Sequence, residues 1–343
     1  PQQWRNAAVT AVNFSRPGIG VDRPVKVSVT VANTGVGTIE PESVELTVDG
    51  QQGEARPVGK IAEGASASVV FEHRFKQSGP HIIRAIVHCT DDLPGDDSMV
   101  RVVNILRTLG VLVIEGERST RPLGSDAAFL RVALAPPPEE PEETGADGPQ
   151  DLIRAEVIPA AEVASVKQFD KYRVVILADV PRLPKATADA IAEFVRAGGG
   201  LLIAPGEKAD KAFYNSWMGA DQKRLTGLQL IECKPLAAAG PDRAEQFAHV
   251  APNTIDHPGM KLLADPTVSD LASARIRRRW IVEPDDEAQV AVGAALDNGE
   301  PFLIQRTLGR GFVLTLTVPL DEKCADLPLH KCYVPMVHEL VYY

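Results

Sequence analysis

The stretch VRAGGGLLIAPGEKAD, residues 195–210, joins the end of a helix to three glycines, a short apolar strand and a turn. In the preceding residues, 185–199, the side chains of Ala188, Ile191 and Val195 share one helical face. The glycines come before the strand, where they end the helix, whereas glycine-rich phosphate loops follow a strand and open a helix. The stretch therefore predicts a central parallel strand and argues against a nucleotide site.

Strand and helix patterns alternate from residue 107 onward. Near-continuous apolar runs suited to central parallel strands occur in LGVLVIEGE, IRAEVIPA and YRVVILADV, and SDAAFLRVALA after the first predicts a helix capped by Ser125. Further strands are predicted in LTGLQLIE, RIRRRWIV, AQVAVGAAL, PFLIQRTLG and GFVLTLTVP, and a closing helix in YVPMVHELVYY. Residues 106–343 are thus predicted to form an α/β domain with a doubly wound, mostly parallel sheet.

Residues 1–105 show no helical period and contain short alternating segments instead. Alternate valines from Val25 to Val31 fall on one face and polar residues on the other. The segment SVELTVDG shows the same alternation of apolar and polar residues before an Asp49-Gly50 turn. About seven short strands in about a hundred residues predict an all-β immunoglobulin-like sandwich. The strands are predicted at 6–14, 25–33, 43–49, 54–61, 66–75, 80–88 and 97–105.

Charge and hydropathy exclude several classes of function. The net charge is −10, which disfavours nucleic acid and anionic lipid as partners, since both need a basic face. No run approaches the ~18 apolar residues of a membrane span, and PQQWRNAAVT is not a signal peptide. The abrupt ends suggest a piece of a longer protein. Residues 135–151, rich in proline and acid, are predicted to form a surface insertion.

Two groupings of polar residues suggest ligands that we do not favour. Cysteine and histidine near the C-terminus have the spacing C-x5-H-x-C-x5-H, which lacks the close cysteine pair of structural zinc sites; a disulfide between Cys324 and Cys332 and ordinary packing are the alternatives. The basic segment ARIRRRW could bind an anion, although pairing with the surplus acids is favoured. The residues concerned are Cys324, His330, Cys332 and His338, and Arg275, Arg277, Arg278 and Arg279.

The first domain resembles a known module. VSVTVANTGVGTIEPESVELTVDGQ, with its Asn33-Thr34-Gly35 turn, looks like the cell-adhesion-related bacterial domain abbreviated CARDB. That resemblance implies an extracytoplasmic spacer or binding sandwich. Its loop DDLPGDD clusters carboxylates of the kind that calcium favours, and a solvated turn is the alternative that we favour. The acids of this loop are Asp91, Asp92, Asp96 and Asp97.

The second domain resembles the class I glutamine amidotransferase-like superfold, which includes ThuA-like proteins. The resemblance implies a cysteine nucleophile on the turn after the glycine-rich strand, with a histidine and often a glutamate completing a triad. Here that turn is Pro205-Gly206-Glu207, and no cysteine lies within twenty residues. His249 and His257 could supply a base, but without a nucleophile we expect the thiol hydrolase activity to be lost.

A narrower resemblance covers both domains in order. The phrases FLRVALAP, YRVVILADVPRL, EFVRAGGGLLIAPG, FYNSWM and DLPLHKCYVPMVHELVYY look like the periplasmic half of planctomycete-type membrane proteins that carry a BatA-type membrane segment and a von Willebrand factor A domain. The resemblance implies a periplasmic location in a membrane-anchored protein. It also implies partners among envelope proteins or the von Willebrand domain of the same polypeptide. This sequence departs from the family's pattern at Cys324 and Cys332.

Candidate ligand residues follow from the rule that open α/β sheets bind ligands at the carboxyl ends of their strands. We predict a non-catalytic binding or assembly module, with no catalytic residue and no cofactor. The alternatives are a carboxylate- or metal-dependent hydrolase at the same crevice, and a mechanical spacer. The predicted crevice residues are Glu115, Glu117, Asp179, Pro181, Gly206 and Glu207, with Tyr214, Asn215 and Trp217 as a wall.

Overall fold

The computed structural model describes residues 4–15, 18–116, 126–134, 152–236, 247–285 and 289–343. The chain divides into two compact units, Pro1–Thr108 and Leu109–Tyr343. The described residues are predominantly β. No helix among them is long and apolar enough to cross a membrane. The predicted acidic insertion at 135–151 lies outside the described residues.

The first unit is an immunoglobulin-like sandwich of two sheets, as the sequence predicts. One sheet has the antiparallel order β1-β3-β6, and the other has the order β2-β8-β7-β4-β5, in which β2 runs parallel to β8. The strands are β1 (Ala7–Phe14), β2 (Ile19–Gly20), β3 (Pro24–Asn33), β4 (Ser43–Val48), β5 (Gln51–Arg56), β6 (Ser66–Arg74), β7 (Gly79–His88) and β8 (Ser98–Leu106).

Alternation along β3 accounts for the core of this unit. The valines from Val25 to Val31 are at most 1% exposed, and they pack with apolar residues of both sheets. Asp49 and Gly50 both have positive φ (51° and 73°), as the tight turn between β4 and β5 requires. The strand predicted at 54–61 is wrong in its bounds: β5 ends before Pro57, which lacks the N–H needed to continue the ladder.

A seven-stranded mixed sheet forms the centre of the second unit. Its order is β10-β9-β11-β12-β17-β16-β15; the first five of these run parallel, and β16 and β15 are antiparallel. A separate antiparallel pair joins β13 to β14. The strands are β9 (Leu109–Glu115), β10 (Ile153–Pro159), β11 (Val174–Ala178), β12 (Gly200–Ala204), β13 (Leu228–Pro235), β14 (Arg278–Pro284), β15 (Val290–Ala295), β16 (Pro301–Leu308) and β17 (Gly311–Leu316).

Four α-helices accompany this sheet among the described residues: α1 (Asp126–Leu134), α2 (Lys185–Arg196), α3 (Lys211–Ser216) and α4 (Tyr333–Tyr342). The predicted face of α2 is buried against the sheet through Ala188, Ile191 and Val195. α1 packs against α4, where the Phe129 and Tyr333 rings lie 6.5 Å apart. The expected helix between β10 and β11 is instead a short 3-10 helix, Ala160–Ser165, so the unit has fewer helices than a regular doubly wound fold.

One arginine lies inside the second unit. Arg306, on β16, is 1% exposed, and its guanidinium donates hydrogen bonds to the carboxylate of Asp221 and to the backbone carbonyl of Arg224. Arg224 in turn pairs with Asp285. A buried guanidinium is tolerated only where such partners compensate for its lost hydration.

Candidate functional site

The carboxyl ends of β9, β11 and β12 lie side by side in the sheet. Glu115 is the last residue of β9 and is 4% exposed, and its Oε2 atom lies 3.9 Å from Nη2 of Arg131 on α1. Its predicted companion Glu117 lies outside the described residues. Glu115 therefore points into the protein toward a neighbouring helix.

Asp179 follows β11 in a left-handed backbone conformation, with φ at +49°. A Cβ atom built on Gly206 would lie 1.7 Å from Oδ1 of Asp179, and one built on Gly116 would lie 1.7 Å from the Asp179 carbonyl oxygen. The chain thus has glycine on both sides of Asp179 because no side chain fits there. This packing fills the part of the crevice between β9 and β12.

The turn after β12 is held by groups from β14. The indole Nε1 of Trp280 donates to the carbonyl oxygens of Pro205 (3.1 Å) and Gly206 (3.2 Å). Arg278 Nε lies 2.7 Å from Oε1 of Glu207. This contact is an ion pair and not a well-directed hydrogen bond, because Nε has no hydrogen-bond partner among the described residues. Glu207 is therefore held near β14 by an ion pair with Arg278.

Glu207 also meets two residues that the sequence analysis did not connect with it. One oxygen of Glu207, one of Asp321 and the sulfur of Cys324 all lie within 4.8 Å of one another. Asp321 follows β17, the strand that pairs with β12, so position after a neighbouring strand is the signal that could have found it. Carboxylate and thiolate are ligands that zinc accepts, although Asp321 already accepts hydrogen bonds from the Lys323 and Cys324 amides (2.7 and 2.9 Å).

The two cysteines near this group have raised pKa values. Burial, together with the charges of Asp321 and Glu207, raises the pKa of Cys324 far above its ordinary value. Burial also raises the pKa of Cys233, and the hydrogen bond and charge of Arg278 oppose this only in part. Since the thiolate is the nucleophilic form, neither thiol is activated.

The residues predicted to form a wall use their polar atoms within the protein. The Tyr214 hydroxyl donates to the Val180 carbonyl (2.7 Å), and the Trp217 indole donates to the Ala188 carbonyl (3.2 Å). Both side chains are at least 95% buried. Asn215 exchanges two hydrogen bonds with the backbone of Leu230. The two rings close the core and offer no stacking face to a ligand.

The arginines of ARIRRRW pair with acids. Arg279 makes a two-pronged contact with Glu300, with both distances 2.6 Å, and Arg275 Nε lies 2.8 Å from Oδ2 of Asp326. Arg277 Nη2 lies 3.9 Å from the same Asp326 oxygen. This segment is therefore a neutralised surface and not an open anion site.

The C-terminal cysteines and histidines do not form a ligand set among the described residues. Cys324 and Cys332 are free thiols, so the alternative disulfide is not formed. His330 contacts Asp270 and Asp326, and His338 Nε2 lies 2.7 Å from the Ala133 carbonyl oxygen. Each group has a separate structural role.

His257 is buried, 3% exposed, with its ring centroid 4.4 Å from that of Tyr343. Its Nδ1 accepts a hydrogen bond from the Gly259 amide (3.1 Å), which assigns the single proton of the neutral ring to Nε2. Burial lowers the pKa of His257 to about 4, and Nε2 has no hydrogen-bond partner among the described residues. His249 Nδ1 lies 3.0 Å from the Ala274 carbonyl oxygen.

Lowering the pH from about 7 to about 5 is expected to remove about 2 kcal/mol of stability through His257. The folded pKa lies below the ordinary 6.5, so the unfolded chain binds this proton first. The stability is complete above pH 6.5 and is lost as the pH falls toward 4. Urea unfolding of the wild type and of His257→Asn, whose amide can accept from Gly259, measures it. An equal pH effect in both proteins would contradict the assignment.

The acidic loop DDLPGDD lies against the start of β1 in the first unit. Asp91 Oδ2 accepts a hydrogen bond from the Ala7 amide (2.9 Å), and Asp92 Oδ2 accepts one from the Arg5 amide (2.8 Å). The Val9 amide donates to the Asp96 carbonyl oxygen (3.0 Å). The loop thus holds the first strand at one end of the sandwich.

Comparison with known proteins identifies the first unit. Residues 12–94 match the CARDB family model and form a CARDB domain with an immunoglobulin-like fold. The CARDB domain of the PF1109 protein from Pyrococcus furiosus, crystallised in complex with di-metal ions, is 16% identical with a TM-score of 0.28; the match covers 30% of this chain and 90% of that domain. No functionally curated protein matches the sequence.

Longer matches involve glycosidases. A β-galactosidase from Bacillus circulans sp. alkalophilus is 13% identical with a TM-score of 0.41, over 68% of this chain and 30% of the enzyme. The exo-β-1,4-mannosidase Op5Man5 from Opitutaceae bacterium strain TAV5 is 12% identical with a TM-score of 0.36, over 69% and 36%. This chain spans only about a third of either enzyme, and their activities are not transferred to it.

Proposed function

We propose that this chain, with its CARDB domain, is a non-catalytic binding and assembly region of a larger membrane-anchored protein in the bacterial envelope. The second unit is proposed to be a doubly wound, amidotransferase-like (ThuA-like) domain that has lost the activity of that superfold. Support comes from five parallel strands and from the glycine-rich entry to β12. The proposed partners are the von Willebrand factor A domain of the same polypeptide and other envelope proteins.

The observation that carries the non-catalytic proposal is the packing at Gly206. This residue stands in the turn where a nucleophile would be needed, and its missing Cβ leaves room only for the Asp179 side chain. Of the nearby thiols, Cys324 is buried and Cys233 is half-buried, and burial raises the pKa of both; the aromatic rings are closed into the core. Groups that could attack a substrate are thus either missing from this turn or engaged with other residues.

A second candidate is a carboxylate- or metal-dependent hydrolase, which the approach of Glu207 to Asp321 favours. One experiment separates the two candidates. The chain and its Glu207→Gln variant are assayed, with and without zinc or magnesium, on ester, amide and glycoside substrates. We expect no turnover above background from either protein. Turnover by the wild type that is lost in Glu207→Gln would establish the hydrolase instead.

The binding part of the proposal has its own test. The purified von Willebrand factor A domain of the same polypeptide is titrated into the chain by calorimetry, with an unrelated von Willebrand domain as control. We expect saturable binding of the cognate domain only. If neither this domain nor any envelope fraction binds, the assembly role is wrong and a spacer role remains.

A further inference from the structure

The side chain of Asn6 has an unexplained oxygen beside the acidic loop. Asn6 is 1% exposed, and its Nδ2 donates to Thr34 Oγ1 (2.7 Å) and to Asp96 Oδ2 (3.0 Å). Both amide hydrogens are therefore used, which fixes the orientation of the group. Its Oδ1, about 2.2 Å from Nδ2 in any amide, is inaccessible to solvent and accepts no hydrogen bond from the described residues.

Two carboxylate oxygens of the loop share this condition. Asp96 Oδ1 and Asp97 Oδ1 are inaccessible and have no hydrogen-bond partner among the described residues. Buried acceptors without donors are rare in folded proteins, and several of them together indicate a bound ion or water. Because the neighbouring groups are carboxylates, a cation compensates for their burial better than a water does.

We propose that Asn6, Asp91, Asp96 and Asp97 bind a calcium ion at this end of the first unit. All four offer oxygen, and calcium takes six to eight oxygen ligands in flexible geometry. The carboxylate oxygens of this group do not all lie within 4.8 Å of one another. Opposite ligands of calcium stand up to roughly 5 Å apart, whereas magnesium requires a smaller octahedron. The ion links the first strand to the loop between β7 and β8.

Asp92 belongs to the same loop but not to the proposed site. Its carboxylate is exposed and accepts from the Arg5 amide, and neither of its oxygens is among the buried atoms without a partner. Asp92→Asn therefore removes one negative charge from the loop without removing a ligand. It is the matched control for Asp97→Asn, which removes the same charge but also replaces one oxygen of a proposed ligand by an NH₂ group that cannot bind the ion.

The test uses the full 343-residue chain, decalcified and then titrated with calcium by calorimetry. We expect one site with a Kd of about 10⁻⁴ to 10⁻³ M, the range of extracellular modules. Asp97→Asn should weaken binding at least about tenfold, and Asp92→Asn by no more than about twofold. Absence of saturable binding, equal weakening by the two variants, or equally tight magnesium binding would overturn the proposal.

Trp4 supplies a local reporter, because it lies two residues from Asn6. Terbium substitutes for calcium, and a tryptophan that lies close in space to the bound ion sensitises its emission; two residues along the chain keep Trp4 close to Asn6. We expect sensitised emission that calcium displaces and that Trp4→Phe abolishes while calorimetric calcium binding is unchanged. Emission that persists in Trp4→Phe would place the ion elsewhere and overturn the assignment.

Thermal unfolding provides a control against variants that merely misfold. In chelator, Asp97→Asn should melt at the same temperature as the wild type or higher, because the variant removes one of four negative charges that lie in one short loop. With about 10 mM calcium the wild type should gain several degrees and the variant almost none. A variant that melts lower in chelator yet gains as much as the wild type with calcium would contradict the site.

Discussion

Alanine at Gly206 is expected to lower the unfolding free energy of the second unit by about 3 kcal/mol, and glycine at Asp179 to restore most of that loss. The added Cβ would lie 1.7 Å from Oδ1 of Asp179, so the two side chains cannot both be accommodated. Asp179→Gly removes the clash and also relieves a left-handed conformation that costs an L-residue about 1 kcal/mol. The double variant should therefore be nearly as stable as the wild type.

Gly116→Ala is the matched control for this rescue. Its Cβ would lie 1.7 Å from the carbonyl oxygen of Asp179, a backbone atom that remains when the side chain is removed. We expect a similar loss of about 3 kcal/mol that Asp179→Gly does not repair. Urea unfolding followed by the fluorescence of the buried Trp217 and Trp280 measures all five proteins. Equal rescue of both alanine variants would show that side-chain crowding at Gly206 is not the cause.

Asp221→Ala is expected to destabilise the second unit by about 3 kcal/mol, because it strands the buried guanidinium of Arg306. Among the described residues Arg306 would keep the hydrogen bond to the Arg224 carbonyl, and its side chain is 1% exposed in the wild type. The double variant Asp221→Ala, Arg306→Met should be more stable than Asp221→Ala alone, since it removes the uncompensated charge as well as its partner.

A control for this prediction is available in the neighbouring pair. Asp285→Ala removes the partner of Arg224, whose side chain is 28% exposed and can be rehydrated. We expect a loss of about 1 kcal/mol from it. If Asp285→Ala proves as costly as Asp221→Ala, burial does not set the energy of these pairs. Additive losses in the double variant would likewise contradict the account.

The fold was predictable from sequence where local pattern decides it. The alternation of valines with polar residues predicted β3 with its valines buried. The apolar run after three glycines predicted β12. The alternating pattern alone missed the end of β5, although Pro57 is a sequence signal for it. The pattern also did not predict the 3-10 helix between β10 and β11. The immunoglobulin-like prediction for the first unit is confirmed by the CARDB match.

The candidate site was less predictable because its contacts are distant in sequence. The pairing of β12 with β17 brings together Glu207, Asp321 and Cys324. The spacing of these residues along the chain does not predict that pairing. The burial of Tyr214 and Trp217 also depends on their backbone partners in other elements. The position of an acidic residue just after a strand identified Glu207. It did not identify Arg278, Asp321 and Cys324, which lie beside the Glu207 carboxylate.

The pairing of β12 with β17 also bears on the order in which the chain matures. β17 lies between β12 and β16 and is drawn from residues about 110 positions after β12, so the ribosome must synthesise almost the whole chain before the sheet can close. Until then β12 presents an unpaired edge, which is a template for association with other chains. The first unit has all its described strands by residue 106, so it can fold during translation before β17 of the second unit has been synthesised.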